Sequence, residues 1–353
     1  MYSTIKYLTA LFLIGTSLGC RHEEVVIKED DWVFNPTVLA SPRPPFFPVM
    51  WQPAHNLMTA EGVRLGRSLY YDNILSENGR SCSSCHWQQR AFTADRLVVG
   101  LDTGRFYEIM PHQNLGWKHA YNWTGNEALL EDVPHADFGP DFFNTDMTAM
   151  KTRLIRHASY PRRFYESFGV SIANYPDTLP DLITKALAQF LRSLVSANSS
   201  FDRFRLGQTD LSAAALRGYF LFFSERGECF HCHTPPFFTD HDFHDIGLEK
   251  TPSGRHEGRG LFTGTNHDRG KFATPSLRNI ALTAPYMHDG RFPDMEAVVE
   301  FYSSGVQTSP NLDPLFYKQH SVPGLQLTPL EKADLVAFLH TLTDSSYLQN
   351  PLP

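Results

Sequence analysis

Two pentamers decide most of what this chain can become. Cys82-Ser83-Ser84-Cys85-His86 is followed, 147 residues on, by Cys229-Phe230-His231-Cys232-His233. Two cysteines separated by two residues, with a histidine directly behind, is the pattern by which a chain attaches haem c. Each thiol adds across a haem vinyl group and leaves a thioether. The histidine then stands next to the iron as its proximal ligand. Zinc sites and thioredoxin-like dithiols share the cysteine pair. A zinc ribbon, however, brings its two pairs within about 20 residues of each other, and a dithiol does not need the histidine. The chain is therefore read as a carrier of two covalent haems. Cys82, Cys85 and His86 hold one, and Cys229, Cys232 and His233 hold the other.

Of five cysteines, only Cys20 lies outside the pentamers, so none is left for a disulfide. It closes a stretch with Lys6 at the front, an apolar run from Leu8 to Leu18, and the ending Ser17-Leu18-Gly19-Cys20. Residues 1–20 read as a lipoprotein-type export signal, too short to span a bilayer comfortably, with a lipid anchor expected at Cys20. Export agrees with the haems, which are attached outside the cytoplasm. The expected location is the periplasm of a Gram-negative bacterium, at a membrane. The net charge of −7 and the lack of a basic run argue against nucleic acid as a partner. Aromatic residues make up 13% of the chain, which suits packing around two porphyrins.

Residues 21–48 are charged and then rich in proline, and read as a tether. Apolar spacing predicts helices from near residue 59, over 147–158, 180–197, 211–224 and 294–303, and over 328–342. The helix over 180–197 carries the clearest stripe: Leu182, Ile183, Ala186, Leu187, Phe190, Leu191, Leu194 and Val195. Thr328 and Glu331 form a capping box with Pro329 in the first turn. Alternating strand patterns are nearly absent. The expected fold is mainly α, with a first haem domain over 49–205, a second over 206–345, and a tail over 346–353.

Beyond the haem motifs, longer runs resemble the bacterial di-haem cytochrome c peroxidases and their relation MauG. The runs are Leu65-Gly66-Arg67-Ser68-Leu69-Tyr70-Tyr71-Asp72, Ala186-Leu187-Ala188-Gln189-Phe190, and Thr274-Pro275-Ser276-Leu277-Arg278-Asn279-Ile280 continued by Leu282 to Gly290. The resemblance covers residues 55–345. It implies two cytochrome-c-like helical domains with the haems near their interface. It also implies peroxide chemistry at the first haem and electron entry at the second.

Residue by residue, the resemblance implies several roles. Leu101 stands where many peroxidases place a blocking histidine, so an open first iron is expected; His112 and His119 nearby read as solvated or hydrogen-bonded. Trp123 matches the tryptophan between the haems, with a relay role or a plain core role. The distal Gln and Glu positions fall on Val133 and Phe143, neither of which can move a proton. Asp137, Asp141 and Glu131 are the substitutes, with Asp137 and Asp141 carried as catalytic candidates. Tyr302 matches the sixth ligand of the second iron in MauG, with Met287 as the competitor. The carbonyls of Thr283 and Pro285 match two ligands of an inter-haem calcium ion. His241, His244 and His256 read as solvated or supporting rather than as an extra metal site. A homodimer is implied by the resemblance alone.

The expected function is reduction of hydrogen peroxide to water, with electrons from a small periplasmic donor, either a cytochrome c or a cupredoxin. A MauG-like oxidase acting on a protein or small substrate is the alternative. A di-haem electron carrier or sensor without turnover is a third.

Overall fold

Our structure of the protein is a computed structural model that describes residues 31–95, 107–317 and 322–349. Residues 1–20, where an export signal is expected, and Leu101 lie outside the described residues, and so does Cys20. Met1–Trp32 form a unit apart from Val33–Pro353, and everything below concerns the latter.

The described residues are mainly helical. In chain order the helices are α1 (Ala60–Tyr71), α2 (Met147–Arg156), α3 (Tyr160–Phe168), α4 (Leu179–Ser193), α5 (Ser200–Arg205), α6 (Ala213–Phe222), α7 (Arg259–Thr263), α8 (Met295–Glu300), α9 (Pro329–His340) and α10 (Ser345–Gln349). One antiparallel pair, β1 (Phe243–His244) with β2 (Phe272–Ala273), sets Phe243 opposite Ala273. No described helix is long and apolar enough to cross a membrane.

The same helix crossing occurs twice. A side chain at Gly66 of α1 would begin 1.9 Å from the carbonyl oxygen of Ala186 and 2.9 Å from Cβ of Phe190, both on α4. A side chain at Gly218 of α6 would begin 1.9 Å from the carbonyl oxygen of Asp334 and 2.9 Å from Cβ of Phe338, both on α9. Only glycine lets two backbones approach so closely. Around α1 and α4 lies one apolar core, with Leu65, Leu69, Phe164, Ile183 and Phe190. Around α6 and α9 lies another, with Phe222, Phe238, Leu335 and Phe338.

Local chemistry explains the boundaries. The Thr59 hydroxyl accepts from the N–H of Gly62 and starts α1. The Thr328–Glu331 capping box forms and starts α9. The helix expected to reach residue 197 stops at Ser193, because Leu194 turns out of helical geometry (φ −80°, ψ 85°). The turn lets the Asn114 side chain bond both the N–H and the carbonyl of Ser196, each at 3.0 Å.

Two terminal expectations are corrected. Residues 37–48 are not a free tether. Leu39 N–H bonds the Met58 carbonyl at 2.9 Å, and Phe47 packs edge-on against Trp117 and Phe237. Residues 346–349 are not a tail. They lie within α10, where Tyr347 is 4% exposed in the first core. Helices α3, α5, α7 and α10 went unread in the sequence; α5 begins in a capping box of Ser199 and Asp202 within the stretch adjoining the expected junction.

Candidate functional site

Each haem motif forms a single tight turn. The N–H of His86 bonds the Cys82 carbonyl at 3.0 Å, and that of His233 bonds the Cys229 carbonyl at 2.9 Å. The cysteines and the histidine thus come from one short loop. All four cysteines are free of disulfides. The histidines are oriented alike. His86 Nδ1 lies 2.7 Å from the carbonyl of Phe92, and His233 Nδ1 lies 2.9 Å from that of Phe238. A carbonyl only accepts, so Nδ1 carries the proton and Nε2 keeps its lone pair for a metal. Phe92 and Phe238 both take positive φ (61° and 55°), which turns their carbonyls back toward the rings. Burial pushes the His86 pKa down to about 4 and lowers that of His233, so both are neutral and ready to ligate.

His112 takes the hydrogen-bonded alternative and stands beside His86. Its ring stacks on that of His86, with centres 3.7 Å apart, and its Nδ1 lies 3.2 Å from the Tyr70 hydroxyl. The Tyr347 hydroxyl donates to its carbonyl. The His112 ring is thus packed directly against His86. His119 is exposed and faces His241, 5.7 Å away between ring centres.

Behind the second motif lies a largely apolar cavity of about 210 Å³. Cys229, Cys232 and His233 share its wall with Trp123, Glu108, Tyr286, Met287, His288 and Tyr302. Tyr302 sits where α8 loosens into a π-turn, Phe301–Gly305. Its ring lies parallel to that of Phe316, and burial raises its phenol pKa well above the ordinary value. Met287 lines the same cavity and packs against a small core of Leu248, Phe301, Val306 and Leu312. Thr283, Pro285 and the Glu108 side chain are on this wall too, an all-oxygen donor set of the kind calcium takes.

Trp123 is 8% exposed. Its indole N–H donates to the Glu108 carbonyl at 2.8 Å, and the Glu108 N–H donates to the His288 carbonyl at 2.8 Å. The Thr93 hydroxyl donates to the Glu108 carboxyl at 3.2 Å. Thr93 follows Phe92, whose carbonyl holds His86. A short path therefore runs from the second cavity through Trp123 and Glu108 to His86. Burial lifts the Glu108 pKa to about 9 despite Thr93 and Arg90 beside it. Arg90 donates to the Ala284 carbonyl at 2.6 Å. Sequence reading missed Glu108, although it lies fifteen residues before Trp123 and is an acid between apolar neighbours.

The three candidate acids separate. Asp137 is enclosed near Cys82 and Tyr70, and burial alone lifts its pKa to about 7. Asp141 gives its carbonyl to Arg80. Glu131 is locked by Arg192 through two bonds of 2.7 and 2.8 Å and by Asn56 at 2.6 Å. That pairing keeps its pKa low despite burial and removes it as a proton carrier. Val133 and Phe143 both contribute to the first core.

His241, His244 and His256 do not converge. His244 is clamped between Asp240 at 2.9 Å and Asp313 at 2.7 Å, which together push its pKa up to about 12. His256 instead meets His288. Neither nitrogen of the buried His241 ring has a protein partner.

A family model described as di-haem cytochrome c peroxidase (CCP_MauG) matches residues 60–210. The methylamine utilization protein MauG of Methylorubrum extorquens is 36% identical over 298 residues, covering 82% of this chain and 80% of that protein. The cytochrome-c peroxidase IdrP1 of Denitromonas iodatirespirans is 32% identical over 328 residues, covering 82% and 84%. A crystal structure of a MauG-like protein associated with microbial copper homeostasis superposes with a TM-score of 0.80 at 33% identity, covering 89% of this chain and 98% of that one.

Proposed function

The chain belongs to the di-haem cytochrome c peroxidase family, which carries two haems c, and on that premise we propose that it is a peroxide-dependent oxidase of the MauG kind. In this reading hydrogen peroxide is reduced at the first haem, and the electrons come from a protein substrate by way of the second. The observation that carries it is Tyr302, a buried phenol on the wall of the second cavity. An anionic oxygen ligand favours the more oxidised states of an iron. With Tyr302 as its ligand, the second haem would supply oxidising rather than reducing equivalents.

When bound, each haem supplies an iron that exchanges single electrons. Cys82 with Cys85, and Cys229 with Cys232, would hold the porphyrins, and Nε2 of His86 and of His233 would hold the irons. Asp137 is the group that would carry a proton from one peroxide oxygen to the other. Peroxide takes up two electrons and two protons and leaves as two waters. Trp123 would pass electrons between the halves. The carbonyls of Thr283 and Pro285, with the Glu108 carboxylate, would hold a calcium ion. The division into haem domains at 49–205 and 206–345, the homodimer, and a periplasmic location with a lipid on Cys20 complete the reading.

The second reading is a peroxidase fed by a small cytochrome c or cupredoxin. Met287 favours it, because a thioether at the second iron raises its potential. Rapid mixing of fully ferric holoprotein with peroxide, followed by reduced cytochrome c or cupredoxin, separates the two. A long-lived oxidised state that these donors discharge slowly supports the oxidase. Fast multiple turnover with either donor establishes the peroxidase, and no reaction with peroxide rules out both.

A further inference from the structure

The orphan nitrogen of His288 is the starting point. His288 is 2% exposed and lines the second cavity, and its Nδ1 has no protein partner. Phe272 covers one ring face, with centres 3.7 Å apart and planes within 10°. Trp123 stands edge-on, 6.5 Å away. The other ring nitrogen, Nε2, lies 3.0 Å from Nδ1 of His256.

Together with Asp289, these two histidines have the makings of a metal site. The ring geometry argues for a hydrogen bond instead. The ring centres are 5.2 Å apart and the nitrogens 3.0 Å apart. The difference is about what two imidazole radii span, so both nitrogens lie on the line joining the rings and their axes point at one another. Ligands of one ion would aim at a point off that line. Asp289 is moreover bound by Arg291 through several contacts of 2.6 to 3.1 Å.

The direction of the chain is fixed from its outer end. Arg255 Nε lies 3.3 Å from Nε2 of the half-buried His256. Arginine is always a donor, so this His256 nitrogen must accept. The proton of the neutral His256 ring is then on Nδ1 and is donated to His288 Nε2. His288 is left with its proton on Nδ1, the atom that has no protein partner. A buried N–H without an acceptor is strongly disfavoured, so the acceptor belongs to what fills the cavity. The hydrogen-bonding groups at the rim of a haem are its two carboxylates. Arg255 and Arg291 stand behind the dyad and add a positive field that suits an anion.

We infer that Arg255, His256 and His288 form a directed hydrogen-bond relay whose last donor, His288 Nδ1–H, is set for a carboxylate of the second haem. The inference rests on the reading that this cavity holds a haem. It makes His288 a positioning residue, which anchors the porphyrin beside Trp123 and partly neutralises its carboxylate.

The test compares the holoprotein with His288→Leu, His288→Asn and His256→Leu. Haem content comes first, from the pyridine haemochrome spectrum. One haem per unmodified chain would defeat the two-haem reading itself, before any variant is compared. With both haems present, the readouts are the resonance Raman carboxylate-bending band and the potential of the second haem. His288→Leu is expected to shift the band and lower the potential. His288→Asn, whose amide can donate from a similar place, is expected to restore both. His256→Leu leaves His288 folded but frees its tautomer, and a smaller shift in the same direction is expected. An unchanged band and potential in His288→Leu would overturn the inference, as would a His256→Leu variant identical to the parent.

Discussion

The indole N–H of Trp123 is bonded to the backbone carbonyl of Glu108 at 2.8 Å, while the Glu108 side chain is held by Thr93. A carbonyl accepts a hydrogen bond but cannot take the proton. Were Trp123 to give up an electron, it would therefore keep its N–H. Trp123→Phe is expected to cost the fold about 1 kcal/mol for the lost bond and to slow electron exchange between the haems. Stopped-flow spectra of the half-reduced protein would report this. An unaltered exchange rate would remove Trp123 from the path.

Asp137 is expected to set the pH dependence of the peroxide reaction. Burial raises its pKa from 3.8 to about 7. The carboxylate that accepts the first proton is thus scarce below that value, and the rate should climb with pH and level off above about 7. Asp137→Asn should slow the reaction by about 10²–10⁴-fold and flatten the profile, while Asp141→Asn should leave both alone. A raised carboxyl pKa also means that its contribution to folding is full below about 4 and is lost as pH rises toward 7. Denaturant midpoints across that window should fall for the parent and fall less for Asp137→Asn.

The two glycine crossings should respond alike. Gly66→Ala and Gly218→Ala each push a methyl against a carbonyl oxygen, and each is expected to destabilise by about 1–3 kcal/mol. Calorimetry or urea titration of the holoprotein measures this. If either substitution is silent, the backbones do not approach as closely as the structure has them.

Tyr302 and Met287 predict opposite spectra. Tyr302→Phe should open the sixth position of the second iron and raise its potential, whereas Met287→Leu should change neither. Near-infrared magnetic circular dichroism distinguishes a phenolate from a thioether. The reverse pattern would assign the ligand to Met287 and favour the peroxidase.

A calcium ion held by Glu108 would be linked to protons. With its pKa lifted to about 9, it is protonated near neutrality unless a cation is bound. Calcium binding should therefore release a proton and tighten as pH rises. Glu108→Gln should lose calcium to a chelator that leaves the parent loaded. Titration calorimetry in buffers of different ionisation heat reads both effects, and calcium retention by the variant would remove Glu108 from the site.

The haem motifs were legible because their chemistry is local: Cys82 to His86 lie in one turn. Helices α1, α4 and α9 were legible for a similar reason, since each repeats its apolar residues within its own length. The remainder depends on partners far apart in sequence. Glu108 gains meaning from Thr93, Trp123 and His288, and Asp137 from its place near Cys82. Phe47 fixes the proline-rich stretch only because Trp117 and Phe237 flank it. Helix α4 ends early because of Asn114, some 80 residues before the end. None of these relationships leaves a periodic trace.

Helix α10 brings a constraint of timing. The Tyr347 hydroxyl is bonded to the carbonyl of His112, whose ring lies on His86. Just before it, Asp344 accepts from the N–H groups of Ala197 and Asn198, each at 2.9 Å. The wall behind His86 is therefore closed by residues synthesised after both Cys-x-x-Cys-His motifs. A chain cut short before residue 344 would keep both Cys-x-x-Cys-His motifs whole, yet would show its defect at the first, where a stop so late in the message would not be sought.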